Sequence, residues 1–414
     1  MRFADRLCLI AGAAAISLVA GSASATTHVD SGAIPSLAGS YLAARSADLA
    51  RDMKSAVVFY NDALLSDPQS GALMERLLLL TLATGDFDPA FTLAPRLVAV
   101  DDGNPAARLA LGVQQLKNGD GAAAAKQLAK IAPAELASLT SGLLTAWIDF
   151  GAGKTDTALA RIAALNGPQW YGIFKDYHTT LILDAAGRTA DAAEAIAKAY
   201  KSDNTALSVV TEYARVMARI GKRDQAAKAL TDFGGANPLH PVIRDLLIAI
   251  KTGKAVPPLV TTMQDGAAEA LYGLGSAIGI DDGPELAGAY LQLSKYLAPE
   301  SDLTTMALGD ILQGSGRCED AIAIYDTVPK THSLRRNANI QIGTCLETLD
   351  KPDEAAASIR KALDANPDDV EAAVQLGNAY RGADRFNEAV AAYSKGIATI
   401  GDPKAAGWRI YYFR

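Results

Sequence analysis

The four histidines are the residues best suited to metal binding or acid–base catalysis, and they are scattered along the chain. They are His28, His178, His240 and His332. Zinc sites and catalytic bases need ligands or a carboxylate partner at short, defined spacing, and none of the four has such a neighbour. The sequence therefore predicts no metal site and no histidine-based catalytic site.

A glycine pair offers the only hint of nucleotide chemistry. Gly273 and Gly275 flank Leu274 as in the start of a dinucleotide-binding loop, but the next glycine is Gly279 and no strand is predicted before them. We find no nucleophile elbow, phosphate-binding loop or paired acidic motif elsewhere. We therefore expect no catalytic residue, no cofactor and no enzymatic activity.

The N-terminus has the pattern of a secretory signal. A basic start containing Arg2 and Arg6 precedes an apolar run from Leu7 to Ala20, and small residues end at Ala25. The run is too short for a membrane span, and Cys8 lies at its front, where a lipoprotein cysteine would not be. We expect cleavage after Ala25 and export to the periplasm; an uncleaved anchor is the alternative.

Composition favours a helical protein without a nucleic-acid partner. Half of the 414 residues are apolar and only 6% are aromatic, and alanine is frequent, which favours closely packed helices. Losing residues 1–25 removes two positive charges and one negative charge, so the formal net charge of −7 becomes −8. No later apolar run is long enough to span a bilayer.

Alanines recur at a fixed interval of 34 residues. The first series is Ala56, Ala90, Ala124, Ala158, Ala192 and Ala226, and the second is Ala287, Ala321, Ala355 and Ala389. Twelve residues before half of them stands a glycine preceded by an apolar residue, and four residues after most of them stands a large apolar residue. Glycines at 85, 119, 153, 187, 221 and 316 provide the turn between two helices. The sequence predicts paired helices that contact each other at these small residues.

These residues resemble the tetratricopeptide repeat, a helix-turn-helix unit of 34 residues. The resemblance covers roughly residues 36–400 and implies an all-α, right-handed solenoid of about eleven repeats. We divide the chain into a signal (1–25), an N-terminal extension (26–35), an N-terminal arm (36–240), a shortened, degenerate repeat (241–266), a C-terminal arm (267–403) and the start of a further repeat (404–414). The shortened repeat is expected to kink the superhelix.

Two features of this division leave alternatives open. Cys318 and Cys345 fall at the same edge of the stack, so they form either a disulfide between adjacent repeats or two buried thiols. The last residues, from Trp408 to Arg414, are rich in aromatics. They belong either to a repeat that continues beyond Arg414 or to a tail that docks on a partner.

The resemblance also implies where a partner would bind, because the first helix of each pair lines the concave side in this family. The expected groove residues are Tyr41, Leu79, Leu109, Val113, Leu143, Trp147, Phe150, Phe174, Tyr177 and Leu181. An open groove of apolar and aromatic side chains suits an amphipathic helix or an extended peptide. The alternative is that the superhelix fills its own groove.

The sequence thus predicts a non-catalytic periplasmic scaffold that binds another protein in cell-envelope assembly or integrity. One alternative is a targeting module of a larger secretion or exopolysaccharide apparatus. Another, a cytoplasmic co-chaperone, requires that the first 25 residues are not a signal.

Overall fold

The computed structural model describes residues 36–234, 240–279 and 283–399. Within these ranges it contains 21 α-helices and no strand. The predicted signal, the N-terminal extension and the aromatic C-terminal segment lie outside the described residues.

The helices of the first part of the chain are paired, and each pair is one repeat. They are α1 Leu37–Leu49, α2 Met53–Ser66, α3 Gly71–Thr84, α4 Phe87–Val100, α5 Pro105–Lys117, α6 Gly121–Leu128, α7 Glu135–Gly151, α8 Thr155–Ala164, α9 Tyr171–Ala185, α10 Thr189–Ser202, α11 Leu207–Arg219 and α12 Arg223–Gly234.

The remaining helices comprise one unpaired helix and four further pairs. They are α13 Pro241–Lys251, α14 Met263–Ile278, α15 Pro284–Leu297, α16 Asp302–Gly314, α17 Cys318–Asp326, α18 Arg335–Thr348, α19 Pro352–Ala365, α20 Val370–Gly382 and α21 Phe386–Thr399. The described chain is therefore an all-α helical-repeat solenoid of ten helix pairs and one single helix.

The predicted small-residue contacts are the seams between paired helices. All ten periodic alanines are buried, with at most 3% of their surface exposed. A Cβ atom added to Gly309 would lie 2.2 Å from the Tyr325 ring, and one added to Gly377 would lie 2.4 Å from the Tyr393 ring. Since each of these pairs is 16 residues apart, the glycine of the first helix makes room for the large residue of the second.

The turn between paired helices uses a left-handed residue at one position of the repeat. All six predicted turn glycines have φ between 75° and 84°. The same position holds Arg51, Asp350 and Asp384 in three other repeats, with φ of 59°, 58° and 57°. The repeat requires this backbone conformation even where the sequence does not supply glycine.

The shortened repeat keeps its first helix and loses its second. Helix α13 ends at Lys251, and residues 254–262 form no helix before α14 begins at Met263. Pro257 and Pro258 lie in this segment, where their missing N–H groups oppose helix formation. Without a second helix to stack on, the next pair takes a different position from its predecessors.

The α14–α15 pair lies against the first helices of the N-terminal repeats. Helix α14 packs on α7 and α9, and α15 packs on α3 and α5. Most of its buried apolar side chains belong to the same core as those of α1–α13, whereas Ala287 and Leu291 pack with α16. Helices α16–α21 form a further core, and the Lys54 ammonium contacts the Asp320 carboxylate at 2.9 Å where α17 approaches α2. The C-terminal arm thus begins inside the concave side of the N-terminal arm.

Candidate interaction site

The predicted groove residues are mostly buried. Six of them, which have at most 6% of their surface exposed, are Leu109, Val113, Leu143, Trp147, Tyr177 and Leu181. Leu79, Phe150 and Phe174 are partly buried, and Tyr41 on the first helix is 43% exposed. The expectation of an open apolar groove is therefore corrected by the structure.

Helix α14 covers the centre of the groove, because it brings a glycine against the largest groove residue. A Cβ atom on Gly266 would lie 2.0 Å from the Trp147 indole, so only glycine fits under this ring. The indole Nε1 donates a hydrogen bond to His178 Nδ1 at 3.2 Å, which holds the ring in place. The indole is thus a core residue of the folded chain.

Helix α15 covers the N-terminal end of the groove with matched polar and aromatic contacts. The Tyr290 and Thr140 hydroxyls are 2.9 Å apart and buried. The Tyr296 ring lies against Phe87 and Phe91, with centroids 4.6 Å and 5.2 Å apart. Apolar burial with satisfied polar groups is typical of a permanent interior, so the chain fills this part of its groove with its own helices.

One part of the concave surface stays open, and we name it the α9–α14 cleft. It is a cavity of about 370 Å³ between α9, the start of α11 and the second half of α14. Its lining residues are Ile173, Phe174, Tyr177, His178, Asp203, Ala206, Leu207, Ser208, Val209, Glu269, Tyr272, Gly273, Ser276 and Ala277. Of the predicted groove residues, the structure brings Phe174 and Tyr177 together here.

The floor of the cleft is acidic. The Tyr177 hydroxyl donates to Glu269 Oε1 at 2.8 Å. Burial raises the pKa of the Glu269 carboxyl, although the Tyr177 hydrogen bond and the Arg215 charge oppose this shift. The pKa of the Tyr177 hydroxyl is raised by burial and then by the neighbouring carboxylates. A cation in the cleft would offset these costs.

Two buried groups beside the cleft lack hydrogen-bond partners. Neither carboxyl oxygen of the fully buried Glu212 has a partner, and burial raises its pKa to about 8. His178 is 1% exposed, its Nε2 has no partner, and burial lowers its pKa to about 3. Since Nδ1 accepts from Trp147, the proton of this neutral imidazole is on Nε2. His178 is thus a lining residue of the cleft whose buried N–H donor has no acceptor.

Sequence reasoning missed the carboxyl groups of this region. Glu212 and His178 occupy the same position in successive repeats, where the flanking repeats have the buried residues Leu144 and Leu246. A charged residue at a position that is otherwise apolar was the available signal. Asp184, which is 1% exposed and ion-paired with Arg219, lies six residues after His178 in α9.

Other cavities also occur along the described chain, and two of them differ in character. One, of about 280 Å³, lies between α3, α5, α7 and α15 and is lined mainly by leucine and alanine side chains. The other, of about 450 Å³, lies between α13, α18 and α19 and carries five arginine or lysine residues. Two of these have acidic partners on other helices or loops, since Arg335 pairs with Asp326 and Arg336 with Asp369. Neither cavity contains a residue of the predicted groove other than Leu79 and Leu109.

The two cysteines are neighbours in the core. Cys318 and Cys345 are free thiols with at most 1% of their surface exposed. Burial, followed by a hydrogen bond with Cys318, raises the pKa of the Cys345 thiol. The predicted disulfide between adjacent repeats stays a prediction.

The described residues offer no obvious site for other chemistry. They contain no group of three histidine, cysteine, aspartate or glutamate side chains placed to hold a metal ion. Within the same ranges, no helix combines the length and the apolar character needed to cross a bilayer.

Comparisons with known proteins agree with the repeat pattern. Two family models, both described as tetratricopeptide repeat, match residues 306–369 and 349–409. No curated protein matches the chain.

Several solved structures of helical-repeat proteins are similar. The tetratricopeptide-repeat domain of P58(IPK) is 16% identical over 91% of this chain and 96% of its own, with a TM-score of 0.24. YrrB, a tetratricopeptide-repeat protein with an unusual peptide-binding site, is 17% identical over 51% of this chain and 96% of its own, with a TM-score of 0.30. A repeat protein from Parabacteroides merdae is 11% identical over 74% of this chain and 95% of its own, with a TM-score of 0.31.

The family matches coincide with the helices whose spacing, buried alanines and glycine contacts define the repeat. Helices α16–α21 lie within residues 306–409 except for the first turn of α16. The same contacts recur in the earlier pairs, where Gly112 packs on Leu128 and Gly275 on Leu291. Residues 306–409 of the chain belong to the tetratricopeptide-repeat family.

Proposed function

We propose that the chain is an exported scaffold that binds another protein through the α9–α14 cleft, in the assembly or integrity of the cell envelope. Tetratricopeptide repeats typically serve protein–protein interaction, which supports a binding role without catalysis. Residues 1–25 have the pattern of a secretory signal, which supports the periplasm as the site of action.

The observation that carries the proposal is the selective filling of the groove. Helices α14 and α15 pack along α3, α5 and α7 and leave a mainly apolar cavity of about 280 Å³ there, whereas the cavity of about 370 Å³ beside α9 and α11 is lined by aromatic and acidic side chains. Phe174, Tyr177 and Tyr272 line that cavity, and aromatic side chains are frequent anchors of protein interfaces. The filled part gives a rigid body, and the cleft offers a concave site to a partner segment.

Photocrosslinking in cells tests the binding role. A photoreactive phenylalanine analogue at Ala277, an exposed residue of the cleft, is expected to crosslink one exported protein that mass spectrometry identifies. The matched control is the same analogue at Glu194, an exposed residue of α10. Identical products from both positions, or none from Ala277, would contradict the proposal.

Export is tested separately. A reporter enzyme that is active only outside the cytoplasm, fused behind Ala25, is expected to be active. Replacing Leu9 and Ile10 with lysine should abolish that activity, because the apolar core of the signal is interrupted. An inactive fusion with the natural sequence would remove the periplasmic part of the proposal.

A further inference from the structure

The charges around the α9–α14 cleft are unequal. Asp203 and Glu269 line it, and no lysine or arginine does. Arg215 influences Glu269, but the same guanidinium also acts on Asp184 and Glu212. Arg219 is engaged by Asp184 in an ion pair. The cleft therefore has carboxylate acceptors that the chain's own cations do not match.

The aromatic residues of the cleft are placed to contact a cation as well. Phe174, Tyr177 and Tyr272 all line the cavity, and the faces of such rings attract ammonium and guanidinium groups. Trp170 extends the aromatic wall, because its ring contacts Phe174 edge to face at a centroid distance of 6.0 Å. Glu269 accepts a hydrogen bond from Tyr177, and Asp203 accepts from the Thr205 N–H and hydroxyl. A purely apolar occupant would leave these two carboxylates without a counter-charge in the cleft.

His178 requires a hydrogen-bond acceptor from an occupant of the cleft. Its Nε2–H is a donor without an acceptor in a residue that lines the cavity. A cation alone cannot satisfy this donor, but a peptide carbonyl oxygen can. The occupant that supplies both a cation and a carbonyl oxygen is a basic residue within a polypeptide.

We infer that the α9–α14 cleft binds a lysine or arginine side chain of the partner protein, an inference that rests on the proposed function. The basic group lies between the aromatic rings and pairs with Glu269, while a backbone carbonyl of the same segment accepts from His178. The cavity of about 370 Å³ is at the small end of the range of about 300–1,000 Å³ for ligand pockets. It therefore suits one side chain with its backbone rather than a helix.

Short peptides test this inference on the mature chain. The probes are the blocked tripeptides alanine-arginine-alanine, alanine-glutamine-alanine and alanine-glutamate-alanine, and saturation-transfer NMR measures their dissociation constants. We expect the arginine peptide to bind roughly tenfold more tightly than the glutamine peptide, the effect of one charge-assisted hydrogen bond. Equal affinities for the three peptides would overturn the inference.

Two pairs of variants locate the site. Glu269→Gln keeps an acceptor for the Tyr177 hydroxyl but removes the charge, so it should abolish the preference for arginine. Glu194→Gln on the exposed face of α10 should leave the preference unchanged. Ala277→Lys should displace the arginine peptide, whereas Ala277→Gln, of similar size, should not. If folded Glu269→Gln and Ala277→Lys variants both retain the preference, the inference is wrong.

The inference and the proposed function can fail independently. A protein crosslinked at Ala277, without any preference for arginine peptides, would support the scaffold function and contradict the binding of a basic side chain. A clear preference for the arginine peptide, without a crosslinked protein, would support the binding of a basic side chain and contradict the scaffold function.

Discussion

Glu212 and His178 occupy equivalent positions in two successive repeats, and their ionisation makes the free energy of unfolding depend on pH in opposite directions. The unfolded Glu212 carboxyl ionises near pH 4.5 and the folded one near 8. The free energy of unfolding therefore falls as the pH rises from 4.5 to 8. His178 acts in the other direction, because its pKa falls from 6.5 to about 3 on folding and stability is lost as the pH drops through that window.

The pH range from 6.5 to 8 reports chiefly on Glu212, since the folded His178 is neutral there and the unfolded imidazole loses its charge as the pH rises above 6.5. In this range the natural chain should lose stability, at up to about 1.4 kcal/mol per pH unit for one proton. Glu212→Gln should remove that part of the slope, because glutamine does not ionise. Urea unfolding at several pH values measures the difference, with Glu194→Gln as the control. Parallel curves for the natural and Glu212→Gln chains would contradict the assignment.

Arg51 is a single residue whose backbone conformation is unfavourable. Its φ of 59° occupies the position that glycine has in six other repeats. Arg51→Gly should raise the free energy of unfolding by about 1 kcal/mol, because a left-handed conformation costs a residue with a Cβ about 1–2 kcal/mol. Arg51→Ala removes the same side chain, keeps the strain and should not stabilise.

Gly119 gives the reverse experiment at the same position. Its φ is 79°, and a Cβ atom there would contact nothing within 4 Å. Gly119→Ala should destabilise the chain by about 1 kcal/mol through backbone conformation alone. Thermal unfolding measures both effects, and an unchanged midpoint in Gly119→Ala would refute the account of the turn.

At the scale of helices, the seam between paired helices depends on small residues. Ala321 is fully buried where α17 packs against α16. Ala321→Leu should overpack this seam and lower the free energy of unfolding by about 1–3 kcal/mol. An unchanged melting temperature would be inconsistent with the repeat.

The packing of α14 on α7 depends on a small residue, Gly266, in the same way. Gly266→Ala should destabilise the chain by about 1–3 kcal/mol, because its new methyl group overlaps the Trp147 ring. Trp147→Leu introduces the residue type that the next repeat has at the equivalent position, Leu181. This change should reduce that cost. In a double-mutant cycle the two changes should not be additive. Additive effects would place Trp147 away from Gly266.

Cys318 and Cys345 connect two neighbouring helix pairs. We predict a disulfide in protein isolated after export and two thiols in protein kept in the cytoplasm. Alkylation in denaturant without reductant, followed by mass spectrometry, distinguishes the two states. Exported protein that is alkylated at both cysteines would refute the disulfide.

At the scale of the whole molecule, the repeat could be predicted from the sequence, whereas a filled groove was only one of two alternatives that the sequence left open. The alanines, the glycine contacts and the turns are local, since each is decided by residues within one 34-residue unit. The position of α14 and α15 depends on the curvature summed over six helix pairs and on the missing second helix after α13. No single unit contains that information.

The sequence of α15 nevertheless indicates that this helix is covered on more than one side. Its buried residues include the consecutive run from Ala287 to Leu291, whereas α21 buries a single stripe through Ala389, Ala392, Tyr393 and Gly396. A helix that is apolar on several faces is covered on several sides. The predicted groove residues are mostly buried, and their cover lies within the chain itself.

A disulfide across the filled groove tests this arrangement most directly. A Cβ atom on Gly288 of α15 would lie 3.6 Å from the Cβ atom of Ala83 on α3, within the range of about 3.5–4.5 Å that disulfides need. In a chain with Cys318→Ala and Cys345→Ala, the pair Ala83→Cys and Gly288→Cys should therefore crosslink under native conditions and not in denaturant. If the two cysteines stay reduced in the folded, oxidised protein, α15 does not lie in the groove and the account is wrong.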